Sequence, residues 1–439
     1  MLSRRRTILQ LALPIIGGMT SQNILNLIDI AMVGRLGAAA LAGVGMAGFL
    51  NFMAVGAITG LSAGVQATSA RRVGEGREGE SAVPLNNGLL IAAGIGLPLS
   101  MLLWFLAPGV VSALLDDPAV AREGTTYWQG RLLGVVAIGA NFCFRGFWSG
   151  VGQTRVYLGT LVTTHVLNVP ISYCLIFGQL GLPELGAYGA GLGTSIAVWI
   201  GTGIYLTVAW RLASARGFLH ARGQTGDFGR LIRLALPNSV QQALFAAGFA
   251  VLFWMIGQVG MDELAVATVL INIMLVAILP AIGFGLAAGT LSGQALGRRD
   301  ADDARRWAWE VARIGGFWLG LLGLPMLLVP GQLLAQFLDE TVLVELGRIP
   351  LQLFAVGLVI DGVGIILMQA LLGVGASRSV MLVAVGLQWM LFLPVVYLLG
   401  PVLQTGLIAI WLAMFAWRGL QTGLFAYLWQ RGRWRHARV

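Results

Sequence analysis

Runs of about twenty or more mostly apolar residues, each long enough for a spanning helix, recur along this whole chain between short polar loops. Hydrocarbon offers the backbone no hydrogen-bond partners, so such runs fold as helices. About twelve are legible. The first six cover residues 8–33, 43–70, 87–107, 127–150, 155–178 and 187–210. The second six cover 231–257, 265–295, 310–329, 348–372, 378–400 and 405–429. Hydrophobic residues make up 57% of the 439 and charged residues 11%, whereas a soluble domain carries about 25% charge. No separate soluble domain fits. The run from Ile8 to Val33 is too long for the apolar core of a signal peptide, and no small-residue cleavage site ends it. It reads as an uncleaved first span.

Every basic residue is an arginine, and the net charge is +9. These arginines lie in short loops, so they read as topology signals at an anionic membrane face rather than as a nucleic-acid surface. One side collects Arg4, Arg5 and Arg6, then Arg71, Arg72 and Arg77, then Arg155. It continues with Arg211, Arg216, Arg222, Arg230 and Arg233, then Arg298, Arg299, Arg305 and Arg306, then Arg378 and the tail arginines Arg431, Arg433, Arg435 and Arg438. The other side collects Asp116, Asp117, Glu184, Asp262, Glu263, Asp339 and Glu340. The alternation predicts an even number of spans with both termini cytoplasmic. Cys143 and Cys174 both fall in apolar runs, which implies neither a disulfide framework nor a zinc site.

The chain repeats itself. "LALP" at Leu11–Pro14 recurs at Leu234–Pro237, "GLSAG" at Gly60–Gly64 is answered by "GLAAG" at Gly285–Gly289, and "GVGQTR" ending at Arg155 by "GVGASR" ending at Arg378. The near-constant interval predicts two pseudo-symmetric six-helix lobes of the same orientation, a known transporter design. The expected division is an N-lobe over 1–212, a polar, basic cytoplasmic linker over 213–230, a C-lobe over 231–430 and a basic tail over 431–439. The fold class expected is therefore all-α integral membrane. The many glycines suit close helix packing, and Pro98, Pro170, Pro280, Pro325 and Pro394 are tolerated or bend their spans.

A carboxylate at mid-membrane costs roughly 2.5–3.5 kcal/mol on insertion scales and usually faces a cavity. Two stand out. Asp29 lies near the outer end of the first span, and the spacing of Gln22, Asn26 and Asp29 places them on one helix face, with Ser21 one step aside. The fifth span carries a second polar stripe of Thr164, His165, Asn168, Ser172 and Tyr173. An amide and a hydroxyl near a carboxylate suit a dehydrated cation or an exchangeable proton. Asp361 lies near the middle of the tenth span, with Gln241, Gln242, Asn272 and Gln369 as candidate polar neighbours. The repeat sets Asp361 opposite Ile138 and Asp29 opposite Leu252, so each acid is private to its lobe. Arg131 and Arg145 in the fourth span are candidate partners for a carboxylate.

The chain resembles the multidrug and toxic compound extrusion (MATE) family over essentially its whole length. The resemblance rests on "LALP", "LIDIAMVGRLG", "NVPISYCLIFGQLGLPELGAYGAG", the second "LALP" and "ASR" after "LLGVG", in that order. "GLPELG" is most similar to the bacterial NorM-like branch. The resemblance implies twelve helices in two lobes and export of organic cations against inward protons or sodium. It also implies coupling roles for Asp29, Asn168, Thr194 and Asp361. Two positions depart from the pattern. Ser172 stands where some relatives have an aspartate one turn after the asparagine, and Phe245 where NorM-like proteins often have a glutamate. Each lobe has lost a second acid, which favours protons over sodium.

The function expected is thus a secondary antiporter, not an enzyme. No cofactor is expected beyond the coupling ion, a proton or else sodium held at Asp29, Asn168 and Thr194. Ser172 is included in the coupling set, and Gln22, Asn26, Asp29 and Asp361 are assigned to the substrate cavity. The expected partners are small organic cations and membrane lipid, with no nucleic acid, and the chain is expected to be a monomer in a bacterial inner membrane. The alternative is a flippase for lipid-linked precursors, which needs cationic groups in its cavity; the scarcity of mid-span arginines argues against it. A channel fits the split acids and the duplication less well than alternating access does. The sequence offers no metal-ligand cluster, paired acid motif or catalytic loop for an enzyme.

Overall fold

The computed structural model describes residues 2–220 and 225–436; Arg222 in the linker and Arg438 in the tail lie outside them. The described residues form helices α1 (Leu2–Gly34), α2 (Ala38–Gly74), α3 (Val83–Leu114), α4 (Pro118–Leu132), α5 (Val135–Gly150), α6 (Thr154–Phe177) and α7 (Gly186–Ala213). They continue with α8 (Thr225–Gly257), α9 (Met261–Ala277), α10 (Leu279–Gly297), α11 (Ala301–Leu328), the short α12 (Pro330–Leu334) and α13 (Thr341–Gly373). The last are α14 (Ser377–Gly386), α15 (Leu393–Tyr397) and α16 (Leu407–Arg431). No strand occurs among the described residues. Eleven helical stretches are long and apolar enough to cross a membrane, and the α4–α5 pair, bent by 51°, makes a twelfth. The all-helical membrane fold expected from the apolar runs is therefore present.

Three spans are less regular than their sequence suggests. The run 127–150 is broken between α4 and α5 at Leu133 and Gly134. The run 265–295 is interrupted at Ile278, two residues before Pro280. The run 378–400 passes through π-helical turns at Leu387–Phe392 and Leu398–Val402. Pro394 and Pro401 carry no backbone N–H, and a wider turn lets the ladder continue around them.

The chain resolves into two compact units. One comprises Gly17–Ser239, the other Met1–Ile16 with Val240–Val439. The division falls inside α1 and α8, just after the two "LALP" prolines. The contacts show why. In one unit, a Cβ on Gly60 of α2 would overlap the backbone of Ala235 and the side chain of Ser239 in the first half of α8. In the other, a Cβ on Gly283 of α10 would overlap Ile16 of α1. Gly283 follows Gly60, and Ser239 follows Ile16, by the interval that separates Pro14 from Pro237. The same small-residue contact is thus made once per repeat.

Candidate functional site

In the Gly17–Ser239 unit the site is set by how α4 and α6 lie against α7. Gly189, Gly193 and Gly201 of α7 turn toward α6, where an added Cβ would meet the backbone of Leu175, the hydroxyl of Ser172 at 2.6 Å, and the side chain of Thr164. Gly191 faces α4, where its Cβ would overlap the Tyr127 carbonyl. Glycine therefore lets α7 touch both neighbours backbone to backbone.

The break after α4 leaves carbonyls without helical partners, and α7 and α3 satisfy them. Ser195 Oγ donates to the Gly130 carbonyl at 2.7 Å, Trp199 Nε1 to the Leu133 carbonyl at 3.0 Å, and Ser100 Oγ to the Leu132 carbonyl at 2.6 Å. A bend in an apolar span persists when its freed carbonyls are satisfied in this way. The C-terminal half of α4, before the bend, carries Tyr127 and Arg131, and the charge of Arg131 acts on Asp29. Arg131 is thus the charged group set against the first-span carboxylate. Asp29 Oδ1 is buried without a hydrogen-bond donor, and so is Arg131 Nε without an acceptor. An apolar cluster of Met32, Val33, Ala40, Ile176 and Ala190 packs with Ile28 and Tyr127 beside the acid.

The other expected residues fall into separate groups. Gln22 Nε2 donates to Asn26 Oδ1 at 3.1 Å, which shows the shared face on α1. His165 bridges Ser21 Oγ at 2.7 Å and Gln22 Oε1 at 3.0 Å. With the Gln22 amide nitrogen directed to Asn26, its oxygen faces the ring, so His165 Nε2 carries the hydrogen and Ser21 donates to Nδ1. Asn168 and Ser172 are both buried, and Ser172 Oγ donates to Asn168 Oδ1 at 3.0 Å. Thr194 Oγ1 donates within its own helix to the Ala190 carbonyl at 3.0 Å. Among the described residues, no hydrogen bond joins Asp29 to Asn168, Ser172 or Thr194. No group of three or more His, Cys, Asp or Glu residues suits a metal there.

The second acid has a different setting. Asp361 of α13 is buried and paired with Arg418 of α16, Oδ1 to Nε at 3.3 Å. Arg418 Nη1 also donates to Gln421 Oε1 at 2.9 Å, and its guanidinium lies 4.9 Å from the Trp417 ring centre and 5.9 Å from that of Phe245. Phe245, the position of the missing seventh-span acid, therefore offers Arg418 a ring face. Beside the pair is a cavity of about 30 Å³ lined in part by Met274, Phe354, Trp411 and Met414, room for about one water. Gln241 Nε2 contacts Met368 Sδ at 3.5 Å, and Asn272 Nδ2 bonds back to the Thr268 carbonyl. Neither amide reaches Asp361 in a hydrogen bond. The sequence signal for Arg418 is an arginine inside the apolar run 405–429, away from the loops that hold most of the charge.

The MatE family model matches residues 14–174 and again 237–398. This chain belongs to the MATE family. It is accordingly a multi-pass membrane transporter and not an enzyme, and the two matches are the two halves of the repeat. Among similar chains, a probable multidrug resistance protein NorM from Synechococcus is 28% identical over 430 residues, covering 95% of this chain and 92% of that protein. One from Thermotoga maritima is 24% identical and covers 99% and 94%. The fold matches an outward-facing multidrug resistance MATE family transporter with a TM-score of 0.89 at 19% identity, covering 99% of this chain and 97% of that one. It also matches a MOP superfamily transporter from Pyrococcus furiosus with a TM-score of 0.88 at 19% identity, covering 98% and 96%.

The α4–α7 contact carries a prediction. Gly191→Ala places a methyl group against the Tyr127 carbonyl, which cannot yield as a flexible side chain can. The helices must separate, at a cost of roughly 1–3 kcal/mol. A lower thermal midpoint in detergent is expected, whereas Gly203→Ala, with open space at its Cβ, serves as the neutral comparison. Equal midpoints for the two variants would show that α4 is not held by this contact.

Proposed function

We propose that this protein exports organic cations, with multidrug breadth, in exchange for inward protons by alternating access, and that Asp29 carries the exchanged proton. The observation that supports this most directly is the Asp29 Oδ1 atom, buried without a donor. A carboxylate in that state gains by taking a proton or a cation, because an unsatisfied buried charge is expensive. Protonation state then favours one packing of the surrounding helices over another. The likeness to NorM multidrug resistance proteins supports the substrate class.

Protons are favoured over sodium on chemical grounds. Sodium needs several convergent oxygens. Here, among the described residues, no hydrogen bond draws Asn168, Ser172 or Thr194 to the Asp29 carboxylate. Arg418, a cationic group within the last span, is neutralised by Asp361, so it offers little to the pyrophosphate of a lipid-linked precursor. The protein works as a monomer in a bacterial inner membrane with both termini cytoplasmic, an orientation that the arginine-rich loops support.

The test is efflux of a fluorescent organic cation from proteoliposomes under a proton gradient alone or a sodium gradient alone. Movement driven by protons and indifferent to sodium is the expected result. Movement driven only by sodium would overturn the ion assignment, and no movement of any organic cation under either gradient would overturn the substrate class.

A further inference from the structure

At the basic end of α11, outside either acidic site, a groove of about 430 Å³ is lined by Arg305, Arg306, Trp309, Glu310, Arg313 and Gln430. Its charges are not balanced by the described residues. Arg306 and Arg313 are exposed and make no ion pair or hydrogen bond among the described residues. Arg305 donates to the Gln430 carbonyl through Nη2 and leaves its buried Nε unpaired. The indole N–H of Trp309 also lacks an acceptor. The groove's one acid, Glu310, is taken by Arg4 at 2.9 Å, and Arg4 is further fixed by Asp303 at 3.2 Å and by stacking 3.8 Å from the Trp307 ring centre. The net offer is three guanidinium groups and an indole N–H, all donors, which is the complement of a phosphate.

The same helix indicates what carries that phosphate. Arg306 and Arg313 lie seven residues apart, about two turns, on one face of α11. Continuing along that face are Phe317, Leu321, Leu324 and Leu328, all exposed, Phe317 at 69% and Leu328 at 71%. A cationic groove running directly into a bare apolar track fits a molecule with an anionic head and hydrocarbon tails. We infer that this groove is a specific binding site for one anionic phospholipid, its headgroup phosphate held by Arg306, Arg313 and Arg305 and its acyl chains lying along α11.

General attraction of interfacial arginines to an anionic leaflet predicts a charge effect without a site, so the test must separate the two. The purified full-length protein is delipidated in detergent and titrated with dioleoylphosphatidylglycerol while bound lipid is counted by native mass spectrometry. Wild type is expected to bind one molecule, with dioleoylphosphatidylcholine bound at least about tenfold more weakly. Arg306→Ala/Arg313→Ala is expected to weaken phosphatidylglycerol binding by about tenfold or more. Arg211→Ala/Arg233→Ala removes two exposed arginines elsewhere and is expected to bind as wild type does. Arg306→Lys/Arg313→Lys keeps the charge but not the planar fork and is expected to fall between. Glycerol 3-phosphate, a headgroup without tails, is expected not to displace the lipid. The inference fails if the two alanine pairs lose the same affinity, if the neutral lipid binds equally well, or if glycerol 3-phosphate displaces phosphatidylglycerol.

Discussion

Asp29→Asn abolishes proton-driven efflux: the initial rate under a proton gradient falls by at least about tenfold, toward that of protein-free liposomes, a loss of about 1.4 kcal/mol or more in coupling. Asparagine keeps the size and polarity of the side chain but cannot exchange a proton. The protein keeps its thermal midpoint, because Asp29 Oδ1 receives no hydrogen bond that the substitution would break. Asp29→Glu keeps the carboxylate and recovers part of the rate. The pair of readouts separates coupling from folding. An Asp29→Asn protein that still concentrates substrate under a proton gradient would move the exchanged proton elsewhere, with the His165 bridge to Ser21 and Gln22 the next group to replace.

Arg418→Ala acts on the other carboxylate, and its main effect is on stability. Both partners are largely buried, with side-chain exposures of 13% for Arg418 and 7% for Asp361. Removing one member of a buried pair leaves an uncompensated charge, a loss of about 3–5 kcal/mol. Replacing both with neutral residues of similar size, as in Asp361→Asn/Arg418→Met, removes the charge together with its counter-charge and restores most of that stability. Denaturant unfolding in micelles of wild type, Asp361→Asn, Arg418→Met and the double variant closes a cycle that measures the coupling. A loss under about 1 kcal/mol for Arg418→Ala would mean that water reaches the pair and that Asp361 remains open to other cations. The contrast with Asp29 is physical. One acid has a guanidinium in direct contact; the other has Arg131 acting on it without an ion pair within bonding distance.

Much of the fold is legible in the sequence because lipid leaves the backbone few choices. An apolar run of sufficient length must be a helix, and the duplicated motifs place Pro14 opposite Pro237 before any coordinate is known. The shared face of Gln22 and Asn26 follows from helical spacing alone, and the structure shows it as a hydrogen bond. The breaks are harder to read. Gly134 does not by itself announce a 51° bend, because the bend is held by Ser195, Trp199 and Ser100 from other helices.

The sites divide in the same way. Composition and spacing alone determined the number of spans and their helical character, the internal repeat and the presence of one rare acid in each half, because these depend on local periodicity and on the cost of a charge in hydrocarbon. The acids' partners were decided by tertiary structure. Arg418 is far from Asp361 in sequence, and Arg131 reaches the surroundings of Asp29 because α4 ends in a bend and packs on Gly191. A helix pattern states which face a side chain occupies but not which helix comes to meet it. That is fixed by long-range contacts between small residues, whose identity in sequence is simply glycine.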